Sequence, residues 1–70
     1  MTFETLKDLH PWKIIVLLHS GEKYEGVITS QVFVLGSNHE ILEISLLGEW
    51  NIVKVKCGEI KEITKVEKIM

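Results

Sequence analysis

Five short apolar segments, separated by small turns, constrain the fold of this chain more than any other feature of its sequence. Alternating apolar and polar residues are typical of half-buried strands, and the intervening turns carry glycine, serine or asparagine. The pattern predicts a short helix at about residues 2–9 and five strands. We expect the strands at about residues 12–19, 22–35, 40–47, 50–57 and 61–69. The sequence therefore predicts one mainly β domain, residues 1–70, whose strands form a small, strongly bent antiparallel barrel.

The helix is indicated by its first residues and by the spacing of its apolar side chains. Thr2 can cap the helix start, and Phe3, Leu6 and Leu9 recur every three residues to form one apolar stripe. Pro11 disfavours helical geometry in the residue before it. The helix is therefore expected to end near Leu9 and to cover one end of the barrel.

The second predicted strand is too long to remain straight in a chain of 70 residues. Glycine inside a strand often marks a bend or bulge, so Gly26 is one expected bend point. The polar pair Ser30–Gln31 is the other. The tryptophans Trp12 and Trp50 are expected to open strands and to seal an end of the barrel. An exposed surface of these two residues and Tyr24, for base stacking or protein docking, is the alternative.

The last segment permits two interpretations. Ile60, Ile63, Val66 and Ile69 recur every three residues, which a helix would explain. A strand would instead pair with an open edge of the sheet and close the barrel. We favour a turn around residues 58–60 followed by a strand, with the C-terminal helix as the alternative.

Composition limits the function classes. The single cysteine, Cys57, rules out an internal disulfide and is expected to fill the core as a small apolar side chain. The three histidines show no metal-ligand spacing with one another or with Cys57, and no catalytic constellation is visible. We therefore expect no enzyme activity, no metal and no cofactor. A chain with 46% hydrophobic residues and a mean hydropathy of +0.19 is expected to cover apolar surface by self-association.

Charge and hydropathy also bear on location and partners. No apolar run approaches the roughly 20 residues that a membrane helix needs, and no secretory leader is evident. We expect a cytoplasmic protein without a membrane partner. The net charge of −2 disfavours a protein that coats nucleic acid indiscriminately. The charge is uneven, however, because residues 51–70 carry five lysines against three glutamates.

The order of a short helix and five strands, with a glycine in a long second strand, resembles the Sm-like family of RNA-binding proteins. The segments IIVLLHSGEKYEGVI (residues 14–28) and VKCGEIKEI (residues 55–63) carry the resemblance. The chain is also similar to the C-terminal domain of the bacterial ribosome maturation factor P. The resemblance implies an SH3-like barrel that forms a homo-oligomeric ring by pairing the fourth strand of one copy with the fifth of the next.

The same resemblance implies RNA binding at two loops. Asn38 and His39 lie in the first loop, and Lys56 and Gly58 lie at the second. Their chemistry fits the role, since an amide and an imidazole can contact an unpaired base and a lysine can hold a phosphate. An ordinary turn at residues 36–39 and a solvated lysine on an outward strand face remain open as alternative interpretations.

A second hypothesis is a small protein-interaction module that docks on a larger partner and has no nucleic-acid role. It is motivated by the acidic net charge and by two departures from the family pattern. Val32 stands where the family has an aspartate, and Cys57 stands where it has an arginine.

Overall fold

One sheet and one helix make up the fold of residues 1–69, the part of the chain that the computed structural model describes. The described elements are helix α1 (Phe3–Leu9), strands β1 (Trp12–Leu18), β2 (Lys23–Phe33), β3 (Ile41–Leu47) and β4 (Ile52–Lys56), a short 3₁₀ turn (Cys57–Glu59) and strand β5 (Ile60–Lys68). All neighbouring strands pair antiparallel, in the order β4-β3-β2-β1-β5. The predicted mainly β fold with a short N-terminal helix and five antiparallel strands is confirmed.

Helix α1 forms where the sequence predicts it. The Thr2 side chain accepts a hydrogen bond from the Thr5 backbone N–H, which satisfies one of the free donors at the helix start. Leu6 and Leu9 are buried, and Phe3 packs against Phe33 of β2 with 5.8 Å between the ring centroids. The apolar stripe therefore fastens the helix to the sheet.

Strand β1 lies at the centre of the core and keeps a regular alternation. Ile14, Val16 and Leu18 are buried on the inner face, whereas Ile15 and Leu17 are half-buried on the outer face. A β-strand turns successive side chains to opposite faces, so the regular pattern requires pairing without an inserted residue on β1.

Strand β2 changes the face that it buries part of the way along. Ile28 pairs with Leu46, and Ser30 then pairs with Ser45, which leaves Thr29 as an extra residue on β2. An inserted residue of this kind is a β-bulge, which bends a strand and shifts the alternation by one position. The bend was expected at Ser30–Gln31 and at Gly26; the bulge lies one residue before the first of these sites.

Strand β5 carries two bulges, and they account for its three-residue spacing. Ile60 pairs with Leu18 and Ile63 with Val16, so the residues between them on β5 outnumber those on β1 by one. The second bulge is at Val66, because Lys13 pairs with Glu67 and Ile14 pairs with Lys65. The structure therefore has a strand here, not the helix that the spacing also permitted.

The sheet is open. Within residues 1–69, β4 and β5 are the edge strands and do not pair with each other, so a closed barrel is not confirmed. The two edges are nevertheless connected by the three residues Cys57–Glu59, which brings them together at one end of the sheet. One side-chain expectation is wrong: Trp50 is 88% exposed in the turn before β4. Cys57 lies in the 3₁₀ turn and packs against the core as expected, although it is only half-buried.

Candidate functional site

The two predicted RNA-contacting segments lie at the same end of the sheet, which we name the loop end (residues 36–39 and 56–58). The first segment leads into β3, and the second leaves β4. Glu43, near the start of β3, pairs with Lys56 at the end of β4. In an antiparallel pair, the start of one strand lies beside the end of the next. The strand pairing therefore brings together the segments that the sequence singled out.

The loop that carries Asn38 and His39 is organised by a serine. The Ser37 hydroxyl accepts hydrogen bonds from the backbone N–H groups of His39, at 3.3 Å, and Glu40, at 3.0 Å. Gly36 has a φ of +82°, a conformation that glycine adopts without strain. The ordinary turn that the sequence also permits is thus present, and it fixes the backbone that carries the two polar side chains.

The N-terminus holds this loop in place. The Phe3 N–H donates to the His39 carbonyl at 2.6 Å, and the Ile41 N–H donates to the Met1 carbonyl at 2.7 Å. Thr2 also forms an isolated antiparallel bridge with Glu40. Because these contacts join backbone atoms, they fix the backbone of the loop and leave the Asn38 and His39 side chains exposed.

The two polar side chains of this loop lie beside each other. His39 Nδ1 is 3.4 Å from Asn38 Oδ1 and 3.5 Å from Ser37 Oγ. If the ring carries its proton on Nδ1, that nitrogen donates to Asn38 and leaves Nε2 as an acceptor. The Asn38 amide then offers donors beside it. The pair could hydrogen-bond an unstacked base through its polar edge.

The second segment offers one ammonium group and one thiol. Lys56 is exposed, and within residues 1–69 its Nζ belongs to none of the ion pairs shorter than 4.0 Å. Gly58 is exposed, with no atom within 4 Å of the position a Cβ would take. Burial raises the pKa of the Cys57 thiol, while the Met1 amino group opposes the rise and Glu43 adds to it. A thiol with a raised pKa is a weak nucleophile at neutral pH, which does not favour a reactive cysteine.

Acidic residues surround the loop end as well. Glu43 pairs across the strands with Lys56, and Glu40 and Glu59 flank the two segments. These carboxylates weaken the local positive potential. Any phosphate held here would depend on Lys56 in particular.

A second surface was not singled out from the sequence. It is an open cleft of about 490 Å³ on the outer face of the sheet, which we name the outer cleft; its lining residues are Lys13, Glu25, Gly26, Val27, Leu47, Gly48 and Glu49. Gly26 lines the cleft, and β3 lies so close to β2 there that an added Cβ would be 2.5 Å from the Leu47 carbonyl oxygen. The presence of glycine inside β2 is the signal that could have indicated it.

The outer cleft has an apolar floor and an acidic rim. Val27 pairs with Leu47, and Leu47 pairs with Ile52, so three aliphatic side chains lie in one row on the outer face. Lys13 Nζ is 3.0 Å from a Glu25 carboxylate oxygen. The hydrogen bond and charge of Glu25 raise the pKa of Lys13, with smaller contributions from Glu67 and Glu49.

A smaller set of residues lines a third surface, beside the helix. Phe3, Leu6, Lys7, His10, Pro11 and Gln31 surround an open cleft of about 510 Å³. Lys7 Nζ lies 5.3 Å from the centroid of the Phe3 ring and 3.6 Å from a Glu4 carboxylate oxygen, so its charge is already engaged. Within the described part of the chain, no group of three or more histidine, cysteine or acidic side chains is arranged to hold a metal ion.

Comparison with known proteins does not assign the chain to a family: no family model, curated protein or solved structure matches it. In residues 1–69, no helix combines the length and the apolar character required to cross a bilayer. What the protein can bind is therefore inferred from the geometry of the loop end and the outer cleft.

Proposed function

We propose that this chain is a non-catalytic Sm-like module that associates with copies of itself and contacts RNA at the loop end. The observation that carries the proposal is the meeting of the Asn38–His39 loop and the Lys56–Gly58 segment at one end of the sheet. The strand order supports the same proposal, since it leaves β4 and β5 as free edges. Free edges present unpaired N–H and C=O groups that a second copy can satisfy.

The chemistry at the loop end limits the strength of the RNA contact. Lys56 supplies a single ammonium as a point charge, and the neighbouring carboxylates of Glu40, Glu43 and Glu59 repel phosphate. Asn38 and His39 add polar contacts to a base. The proposal is therefore a weak interaction that several copies of the chain would strengthen by binding one RNA together.

The binding test is titration of a short fluorescein-labelled single-stranded RNA, followed by fluorescence anisotropy. Lys56→Glu should weaken binding on the order of fivefold, which corresponds to about 1 kcal/mol. Lys68→Glu is the matched control, because Lys68 is also exposed and lies at the end of β5 farthest from the 3₁₀ turn that follows Lys56. Equal effects of the two substitutions would remove Lys56 from the site.

The assembly test is light scattering on a sizing column, with absorbance recorded at protein and nucleic-acid wavelengths. An oligomer that carries nucleic acid until nuclease removes it is the expected result. A clean monomer would overturn self-association. An unchanged oligomer in Lys56→Glu would show that the substitution acts on RNA and not on assembly.

A second candidate function is docking on a larger protein without nucleic acid, and the outer face specifically favours it. Trp50 is 88% exposed, Ile52 59% and Leu47 47%, all at the β3–β4 hairpin. Clustered apolar side chains of this kind often mark an interaction site. Purified protein that is free of nucleic acid and fails to bind the labelled RNA would favour this candidate.

A further inference from the structure

The outer cleft combines an aliphatic floor with an acidic rim. Its floor is aliphatic, because Val27 and Leu47 face outward in one row that continues to Ile52. Its rim is acidic, because Glu25 and Glu49 line it together with only one lysine, Lys13. A purely apolar groove would accept many partners, and the rim charge restricts them.

The charge of the rim is negative even after the ion pair is counted. Lys13 neutralises Glu25 at 3.0 Å, and Glu49 is left without a cationic partner within 4.0 Å in residues 1–69. Glu67, which pairs with Lys13 across β1 and β5, adds a further carboxylate at the far side of the row. The surface is therefore complementary to a positive group and repels phosphate.

The tip of the β3–β4 hairpin supplies a third element. Trp50 follows Glu49 directly and is 88% exposed, so its ring is free to cover a bound group. A tryptophan ring attracts an ammonium or guanidinium that approaches its face. Long basic side chains also carry an aliphatic stem that packs well on apolar surface.

We propose that the outer cleft binds a short extended segment of a partner protein in which a lysine or arginine is flanked, two positions away on each side, by aliphatic residues, so that all three side chains face the cleft. The aliphatic side chains and the stem of the basic one pack on Val27, Leu47 and Ile52. The cationic head lies at the acidic rim, beside Glu25 and Glu49. This inference names the partner chemistry for the second candidate function and rests on that function; it does not depend on RNA binding at the loop end.

The experiment uses three labelled five-residue peptides with blocked ends, in which threonines separate a first leucine, a central lysine, glutamine or glutamate, and a last leucine. We name them the lysine–leucine, glutamine–leucine and glutamate–leucine peptides. Each is titrated with the full chain at low salt, and backbone amide chemical shifts locate the contact. The lysine–leucine peptide should bind with at least tenfold higher affinity than the glutamine–leucine peptide, and the glutamate–leucine peptide should not bind. The shifts should centre on Val27, Leu47 and Gly48.

Substitutions on the protein sharpen the test. Glu25→Gln removes a carboxylate and also leaves the Lys13 ammonium unpaired, so it should weaken the lysine–leucine peptide more than Glu49→Gln does. We expect roughly tenfold and threefold losses, respectively. Glu59→Gln is the matched control, because Glu59 is exposed on the 3₁₀ turn and does not line the cleft. Trp50→Ala should also weaken binding, and its high exposure leaves the fold intact.

The outcomes separate the inference from the function on which it rests. Equal binding of the lysine–leucine and glutamine–leucine peptides at the cleft would retain docking and overturn the basic partner. No binding of any peptide, or shifts confined to the loop end, would overturn both. Equal losses in Glu25→Gln, Glu49→Gln and Glu59→Gln would show a general effect of net charge and would also overturn the proposed site.

Discussion

Strands β1 and β5 are hydrogen-bonded neighbours, yet they bury their side chains in different ways. On β1, Ile14, Val16 and Leu18 alternate without interruption and are buried. On β5, Ile60 and Ile63 are half-buried, whereas Val66 is 48% exposed. β1 has neighbours on both sides and α1 contacts it, whereas β5 has one neighbour and a free edge. The comparison indicates that β5 carries both extra residues of the β1–β5 pair, which leaves the alternation on β1 uninterrupted.

The largest expected effect is a core truncation on β1 compared with the same truncation on β5. Ile14→Ala removes a fully buried side chain and should lower the free energy of unfolding by about 2–5 kcal/mol. Ile63→Ala should cost clearly less, because Ile63 is half-buried on an edge strand. Urea denaturation followed by tryptophan fluorescence gives both values. Equal losses would show that β5 is as firmly integrated as β1.

The next effect tests Gly26, the residue of β2 that pairs with Ile14 on the side of β1 away from β5. Gly26 of β2 pairs with Ile14, and a Cβ there would lie 2.5 Å from the Leu47 carbonyl oxygen and 2.9 Å from the Leu47 carbonyl carbon. Both are backbone atoms that cannot move aside without disturbing β3. Gly26→Ala should therefore lower the free energy of unfolding by roughly 1–3 kcal/mol, measured in the same urea titration.

Gly58→Ala provides the control for this substitution. No atom lies within 4 Å of the added Cβ, and the φ of Gly58 is not positive. The free energy of unfolding should change by less than about 0.5 kcal/mol. A large loss in Gly58→Ala, or none in Gly26→Ala, would contradict the view that close approach to Leu47 is what requires glycine.

The sequence predicted the regular parts of this fold well, and the reason is physical. The alternation on β1, the cap at Thr2 and the stop before Pro11 are local properties, so the residues themselves specify them. Gly26 was also recognisable from the sequence as a special position inside β2. The sequence did not show that it lies against the backbone of β3.

The irregular parts depend on pairing between strands, which a single sequence does not display. The bulge at Thr29 and the shifts on β5 are defined by residues on the partner strand. A bulged strand imitates a three-residue spacing, so β5 could be mistaken for a helix. The exposure of Trp50 and the lining of the outer cleft are likewise set by how the strands pack, not by local sequence. For the loop end, the sequence named the residues, and the antiparallel pairing of β3 and β4 explains their proximity.

A smaller effect tests how the edge strand is attached to the helix. Lys65 of β5 pairs with Ile14, and its Nζ lies 2.9 Å from Asp8 Oδ2 and 5.1 Å from the centroid of the Trp12 ring. Asp8→Asn should lower the free energy of unfolding by less than about 1 kcal/mol, because the Asp8 side chain is 70% exposed. Repeating the urea titration in about 1 M salt should remove the difference from the native sequence, since salt screens exposed charges.

Glu4→Gln is the comparison for this ion pair. It breaks the pair with Lys7, which is longer, at 3.6 Å, and more exposed. We expect no measurable change. A loss as large as that of Asp8→Asn would show that the attachment of β5 to α1 contributes nothing specific.

The smallest effect is a shift in the pKa of Tyr24. It reports on the end of the sheet where the β1–β2 turn lies beside the 3₁₀ turn that precedes β5. Tyr24 is the only tyrosine and pairs with Val16 of β1. Its hydroxyl donates a hydrogen bond to the Glu22 carboxylate, and this bond raises the Tyr24 pKa above its ordinary value of 10.0. The charge of Glu22, partial desolvation and Glu59, just before β5, raise it further.

The sign of the effect follows from the form that is stabilised. Folding favours the neutral phenol, so the contribution to stability is present below the unfolded pKa and is lost as pH rises through the folded pKa. Absorbance titration of tyrosinate should show Glu22→Gln returning the Tyr24 pKa toward 10.0, with Glu59→Gln producing a smaller change in the same direction. Glu25→Gln should leave it in place, because Glu25 pairs with Lys13. The contrary outcome is a Tyr24 pKa that Glu22→Gln lowers and Glu59→Gln leaves unchanged. That outcome would show that the 3₁₀ turn before β5 lies farther from the β1–β2 turn in solution. The loose attachment of the edge strand would then extend to its first residues.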